Sequence, residues 1–177
     1  MPVALMDHPH PTLEAGGLRL RPSTSDDLDL LARWFATPEV YRWWGKRPLP
    51  RDEVAARYIG RRCPQVESFI VELHEEPIGY IQYHLEGPGE AGLDMVLIPA
   101  ARDQGLGPTA ARMLVEHLVR DRGRHDITVD PAPDDARAIR AWEKAGFRVE
   151  RQWNDHAEGP ALLMRLADPA GPGRRWP

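Results

Sequence analysis

The chain has a single cysteine, Cys63, in 177 residues. One thiol excludes an intrachain disulfide framework and suits a reducing compartment, so the expected location is the cytoplasm. Cys63 lies between Arg62 and Pro64 near an expected helix end, the setting of an ordinary half-buried thiol rather than an activated nucleophile. Long apolar runs are also missing. No window approaches the ~20 apolar residues that a membrane helix needs, and no basic N-terminal region leads into an apolar stretch, so neither a membrane partner nor a signal peptide is expected. Positive charge is not in excess: 23 Lys and Arg stand against 27 Asp and Glu, a formal net charge of −4. That excludes the basic footprint of a nucleic-acid binder and is compatible with a cationic ligand. His8 and His10 have no third ligand nearby, so no metal is expected. Neither a Gly-Lys-Ser/Thr phosphate loop nor a GxGxxG dinucleotide turn occurs, and there is no internal repeat.

What is present is an alternation of short elements. Residues 1–17 hold three prolines, two histidines and a Gly-Gly pair and read as a mobile arm. Residues 168–177 are rich in Pro, Gly and Arg and read as a tail. Between them, residues 18–167 are long enough for one domain with one sizeable core. The pattern predicts strands over 18–21, 68–73, 78–85, 93–98, 127–129, 147–153 and 161–166. It predicts a helix that Thr24 or Ser25 caps, with Leu28, Leu31 and Phe35 on one face and Pro38 at its end. Further helices are expected over 51–62, 108–120 and 134–145, the third with Ala110, Met113, Leu114 and Leu118 inward. His74-Glu75-Glu76-Pro77 reads as a hairpin turn. This order suits an α/β or α+β sheet of about seven strands with helices on both faces.

The most informative stretch is Arg102-Asp103-Gln104-Gly105-Leu106-Gly107. It follows the apolar run Leu93 to Pro99 and opens a helix. A strand that passes through a glycine-bearing turn into a helix N-terminus leaves free N–H groups and the positive end of the helix dipole facing outward. Glycines let a phosphate approach the backbone closely. The expected occupant is a diphosphate, held by the N–H groups of Gln104, Gly105, Leu106, Gly107 and Thr109 with Arg102 nearby. Pro108 supplies no donor but suits a first helical turn.

Arg-x-x-Gly-x-Gly after a strand resembles the acetyl-CoA pyrophosphate loop of the GNAT superfamily of N-acetyltransferases. Asp130 to Phe147, with Asp135, Ala138, Trp142, Glu143, Lys144, Gly146 and Phe147, is similar to that superfamily's second motif. More narrowly, Tyr41 to Gly45, Glu76 to Gln82, Gly92-Leu93-Asp94, Asp130 to Pro133 and Gly159 to Met164 resemble the aminoglycoside 6'-N-acetyltransferases, a likeness running from about Leu18 to Leu166. The resemblance implies a mixed, mostly antiparallel sheet splayed between the fourth and fifth strands, where a pantetheine arm enters. It implies acetyl-CoA as acyl donor, direct transfer to a primary amine in a ternary complex, and a small-molecule partner, with the protein a monomer or homodimer.

Acetyl transfer to an amine needs an ammonium to lose a proton, a thioester carbonyl to be polarised and a thiolate to leave. Asp94 is the candidate base or ammonium anchor. It is a lone charge in an apolar strand, and alternation sets it on one face with Val96 and Ile98; Val96 and Ile98 are expected to border the acyl donor that the resemblance implies. Asp130 ends a strand at the expected splay, where a ligand sits in such sheets. The resemblance adds Glu67, Gln82 and Glu158 as acceptor contacts. Trp43 and Trp44, with Tyr58, can wall a sugar ring.

Two positions depart from the superfamily pattern. Trp142 stands where a proton-donating Tyr is usual, and indole has no titratable proton in this range. Asp135 stands where an Asn normally contacts the pantetheine. The loop from Gly87 to Gly92 is shorter than the acid-rich flap of the aminoglycoside enzymes. The alternatives are a GNAT acting on another amine, such as a siderophore lysine side chain, a polyamine or a protein N-terminus, and a catalytically poor acyl-CoA-binding module.

Overall fold

The computed structural model describes residues 10–62, 65–155 and 159–168. Cys63 and Glu158 lie outside the described residues. One nine-stranded sheet organises the chain. Its strands are β1 (Leu13–Ala15), β2 (Leu18–Pro22), β3 (Arg61–Arg62), β4 (Val66–Leu73), β5 (Glu76–Leu85), β6 (Glu90–Leu97), β7 (Asp126–Val129), β8 (Phe147–Trp153) and β9 (Ala161–Leu166). The helices are α1 (Leu28–Phe35), α2 (Pro38–Tyr41), α3 (Arg51–Arg57), α4 (Leu106–Arg122) and α5 (Ala136–Lys144). The spatial order is β1-β2-β4-β5-β6-β7-β9-β8, with β3 added on β4. Every pairing is antiparallel except β6 with β7. No helix among the described residues is long and apolar enough to cross a membrane.

Two short strands exceed the seven expected. The arm expected over residues 1–17 ends early, because Leu13 to Ala15 pairs with β2, Leu13 opposite Leu20 and Ala15 opposite Leu18. Gly16 and Gly17, at φ 58° and 84°, form the two-residue hairpin turn that right-handed strand twist favours. The next hairpin is tighter than expected. Only His74 and Glu75, both at positive φ, join β4 to β5. The expected helix over 51–62 stops at Arg57, and Arg61–Arg62 turns back as β3.

Strand alternation sorts side chains into two cores. Phe69 and Val71 of β4 and Ile81 and Tyr83 of β5 face one side, where they meet Ala110, Ala111, Leu114 and Leu118 of α4 and Trp142 of α5. Ile70 and Tyr80 face the other side, against Leu31 and Phe35 of α1 and Val54 of α3. Each fully buried large apolar side chain contributes about 1.5–3 kcal/mol, so both layers hold the sheet. Arg21 of β2 pins the entry to α1. Its guanidinium bonds both carboxylate oxygens of Asp27, at 2.7 and 2.8 Å, and Glu72 at 2.6 Å.

The feature that positions the site is the β6–β7 seam. Only Glu90, Ala91 and Gly92 of β6 pair with β7, at Asp126, Ile127 and Thr128. From Leu93 onward the two strands part. The first three helices pack over β4 and β5, while α4 and α5 pack under the sheet, so the opening between the strands stays accessible.

Candidate active site

A cleft of about 490 Å³ occupies this opening. Its walls come from β6, the loop after it, residues 130–132, α5 and Gly159–Ala161, with Trp43, Trp44 and Tyr58 above. Asp94 sits on its floor, its side chain 31% exposed. Gln82 is its direct cross-strand partner on β5, and the Gln82 amide donates to Asp94 Oδ2 at 2.8 Å. That amide is fixed from behind. Its Oε1 accepts from Arg62 of β3 at 2.8 Å and lies 2.7 Å from the Tyr80 hydroxyl, which also bonds Ser68 at 2.6 Å. With the oxygen so engaged, the NH2 group must face Asp94. Gln82 therefore acts on the carboxylate beside it.

The aromatic wall forms as a cluster. Tyr58 stacks on Phe35 at 4.6 Å between ring centroids, and Trp44 and Tyr80 meet it edge-on at 5.9 and 5.7 Å. Trp44 Nε1 donates to the Tyr58 hydroxyl at 3.0 Å. Burial, opposed by that hydrogen bond, raises the titration of Tyr58. Burial likewise raises Tyr80 above the usual tyrosine range. Both phenols therefore keep their protons. Trp43 is half-buried on the cleft rim, with the Arg42 guanidinium 4.9 Å from its ring.

The glycine loop opens α4 as its sequence predicts. Gly105 is the N-cap at φ 74°, ψ 4°, a left-handed conformation that glycine adopts without strain. A Cβ there would meet no atom within 4 Å, so the space in front is open. Leu106 and Gly107 form the first helical turn, whose N–H groups have no intrahelical acceptors. A Cβ on Gly107 would sit 3.3 Å from Met95 Cε, so this glycine lets the helix start close to β6.

Several expected residues are placed otherwise. Thr109 turns inward, with its N–H and its hydroxyl both on the Gly105 carbonyl, at 3.3 and 3.0 Å. The Gln104 side chain donates to the Ala100 carbonyl at 2.8 Å, leaving only its backbone for the loop. Arg102 is a clamp: it donates to the carbonyls of Leu97 and Glu39, at 3.0 and 2.9 Å, and ties the loop to α2. Burial, then the charge of Arg137, lowers its titration. Asp135 lines the cleft, but its carboxylate caps α5 by accepting from the Ala138 N–H at 3.1 Å. Trp142 is buried and meets Phe147 edge-on, 5.4 Å between centroids.

Two placements overturn the expectation. Ile98 does not share the face of Asp94 and Val96. The strand ends at Leu97, and Ile98 turns to pack against the core beneath α4. Its N–H reaches the Ile78 carbonyl at 2.9 Å, which carries the chain into the 3-10 turn Pro99–Ala101. Glu67 is not in the cleft either. It is fully buried on the α4 side, 2.5 Å from the Tyr83 hydroxyl and 3.4 Å from Arg122. Parity explains it: Glu67 shares its face with Phe69 and Val71, whereas Ser68 and Ile70 point the other way. Glu158 precedes Gly159, Pro160 and Ala161, which line the cleft.

The sequence reading missed a row of cations. Arg137, Arg140 and Lys144 of α5 border the cleft at intervals of three and four residues, one helix face. The cleft is thus polarised, with these cations and the α4 N-terminus along one side and Asp94 and Asp130 beneath. Such a site takes an anionic group and an ammonium at once.

Three comparisons agree with this geometry. A family profile described as an acetyltransferase (GNAT) domain matches residues 17–148. The aminoglycoside N(6')-acetyltransferase type 1 of Klebsiella pneumoniae is 37% identical, covering 82% of this chain and 80% of that protein. A structure of AAC(6')-Ib in complex with paromomycin and acetyl-CoA superposes with a TM-score of 0.77 at 30% identity, covering 86% of this chain and 94% of the other. A second, of the same enzyme with coenzyme A and kanamycin, gives 0.74 at 31% identity over 84% and 93%.

Proposed function

The chain belongs to the GNAT acetyltransferase family, and from that premise we propose that it acetylates the 6'-amine of an aminoglycoside. The family and its relatives make it an acetyl-CoA-dependent N-acetyltransferase. The observation that carries the acceptor assignment is Asp94, a carboxylate on the cleft floor locked by Gln82, with Asp130 across the same opening. Two carboxylates under an aromatic wall suit a sugar that carries ammonium groups.

The residues present fit acetyl-CoA. The open space before Gly105 and the free first-turn N–H groups of α4 suit its diphosphate, and Arg137, Arg140 and Lys144 suit its phosphate charge. When bound, it supplies an acetyl group as a thioester. Asp94 orients the acceptor ammonium. Trp43, Trp44 and Tyr58 hold the ring, and Val96 lines the floor beyond Asp94. Trp142 has no proton to transfer, so its part is to pack α5 against the sheet, and the thiolate leaves without a side-chain acid at that point.

A second reading follows from the β5–β6 connection, which is only residues 86–89. With no flap there, a smaller amine also fits. The deciding experiment is an acceptor panel of kanamycin, spermidine, a lysine-side-chain amine and a peptide N-terminus. Turnover is followed by thiol release, and mass spectrometry locates the acetyl group. Kanamycin acetylated at the 6' position is the expected result. Turnover of another amine without kanamycin overturns the aminoglycoside assignment. Acetyl-CoA binding without turnover of any amine overturns the enzymatic one.

A further inference from the structure

We propose that His84, oriented by Glu86, takes the proton from the acceptor ammonium. The inference rests on the reading of Asp94 as the ammonium anchor, not on the identity of the amine. His84 follows Gln82 by two residues on β5, so the two share a face. A second cleft, of about 520 Å³, adjoins the first and shares Leu93, Asp94 and Asp130 with it. His84 lines this second cleft. Its Nε2 lies 2.9 Å from Glu86 Oε1, and its Nδ1 lies 3.7 Å from Asp94 Oδ2.

These two distances differ in kind. The first is a hydrogen bond. The second is beyond hydrogen-bond reach, and the same carboxylate oxygen accepts from Gln82 at 2.8 Å. Glu86 thus draws the ring proton to Nε2, and the Nδ1 lone pair is left facing the carboxylate that anchors the ammonium. The hydrogen bond at one ring nitrogen selects the tautomer and so the reactivity of the other. An ammonium held by Asp94 gives one N–H to the carboxylate and another to Nδ1.

The ring position is set by Gly92, its cross-strand partner. A Cβ on Gly92 would overlap His84 Cε1 and Nε2, so the imidazole lies directly against the glycine backbone. The charged groups that line the same cleft come from the end of β5 and from β6 to β9. Glu86 follows its own strand, and Glu90 and Asp94 are on β6. Asp126 and Asp130 lie at the two ends of β7, while Arg151 and Arg165 are on β8 and β9. Arg165 is paired with Asp126 and Glu150. The two carboxylates nearest the ring are Glu86, at 2.9 Å, and Asp94, at 3.7 Å.

The proton balance closes with solvent as the final acceptor. The acceptor N–H bond breaks and a bond to Nδ1 forms. The amine keeps the electron pair that attacks the acetyl carbon. Nδ1 then releases that proton to solvent, which reaches the half-exposed ring, and the Nε2–H held by Glu86 is retained, so the imidazole returns to its starting tautomer. Asp94 alone is a weak base for an amine, and His84 supplies what it lacks. Positioned bases contribute about 10²–10⁴-fold.

The test compares the parent with His84→Gln, His84→Phe and Glu86→Gln, using whichever amine the parent turns over fastest. His84→Phe keeps a ring over Gly92 without a proton acceptor. Near neutral pH, kcat/KM should fall about 10²-fold in both His84 variants and by less in Glu86→Gln. As pH rises past the titration of the amine itself, the deficit should close, because the substrate arrives deprotonated. Added imidazole should restore part of the activity of His84→Gln. A deficit that stays constant with pH, or kcat/KM within about twofold of the parent at neutral pH, overturns the proposal. An activity-independent readout is the ring 15N spectrum of the free protein. The Nε2–H tautomer is expected, and the Nδ1–H tautomer overturns the proposal whatever the acceptor is. Failure of kanamycin as a substrate refutes only the aminoglycoside assignment.

Discussion

Replacing Asp94 with asparagine isolates one quantity, the charge on the cleft floor. The substitution is nearly isosteric. The new amide keeps an oxygen for the Gln82 NH2 group, which donates at 2.8 Å in the parent, and the cross-strand pairing of residues 82 and 94 is a backbone matter. Folding should therefore survive, with Tm nearly unchanged. What is lost is a charge-assisted hydrogen bond to the acceptor ammonium, about 1.5–3 kcal/mol for such bonds. The side chain is 31% exposed, and solvent screening points to the lower part of that range. A loss of about 1.5–2 kcal/mol in transition-state stabilisation is about 10- to 30-fold in kcat/KM for the amine. The assay is initial-rate kinetics with kanamycin varied at saturating acetyl-CoA, beside calorimetric binding of acetyl-CoA alone. The acetyl-CoA affinity should hardly move, because the site proposed for the diphosphate is the glycine loop and not Asp94. Activity within a factor of two of the parent would refute the role given to Asp94. An equal fall in acetyl-CoA affinity would show that the variant disturbs the cleft as a whole.

Three further outcomes are expected. Gly105→Asp should weaken acetyl-CoA at least about tenfold, since a carboxylate would face the diphosphate. Its cost to folding should be the ~1–3 kcal/mol of a non-glycine residue at φ 74°, because no atom lies within 4 Å of the new Cβ; unchanged affinity in the folded variant sinks the loop assignment. Trp142→Ala should cost about 3–5 kcal/mol in urea denaturation, whereas Trp142→Tyr should stay folded and retain or raise kcat, and a folded, acetyl-CoA-binding but inactive Trp142→Tyr contradicts the packing role. Asp27 sets an acid limb. Burial pushes its carboxyl up, but the bidentate Arg21 contact and the Thr24 N–H outweigh this and hold it below the usual range. Its stabilisation is therefore present above the unfolded value near 3.9 and lost as pH falls through the lower folded value. The Tm gap between the parent and Asp27→Asn should be steady above about pH 5 and shrink below about pH 4, and a gap still undiminished at acid pH refutes the linkage.

The glycine loop and the strand before it were legible because their signal is local. A left-handed glycine, a helix start and an apolar strand follow one another in the chain, and each needs only its neighbours. The second motif was legible in the same way, and so was the place of Asp94 in its strand. Glu67 shows the limit of a family likeness used without parity. Counting from Phe69 and Val71 sets Glu67 in the core beneath α4, where Tyr83 and Arg122 receive it. Ile98 shows another limit, because alternation holds only while the strand continues, and the strand stops at Leu97.

By itself the amino-acid sequence determined the order of the longer strands and helices, the inward faces of α1 and α4, the glycine turn that opens α4 and the family. All of these depend on periodicity and on residues close together in the chain. The tertiary structure alone decided which side chains act on one another across the sheet. Gln82 is bound to Asp94 because Arg62 and Tyr80 occupy its oxygen, and His84 faces Asp94 because Gly92 leaves room for its ring. Arg102 ties α2 to the loop from 63 residues away. Contacts of this kind depend on strand register and on where β6 and β7 part, and neither is encoded in any local run of residues.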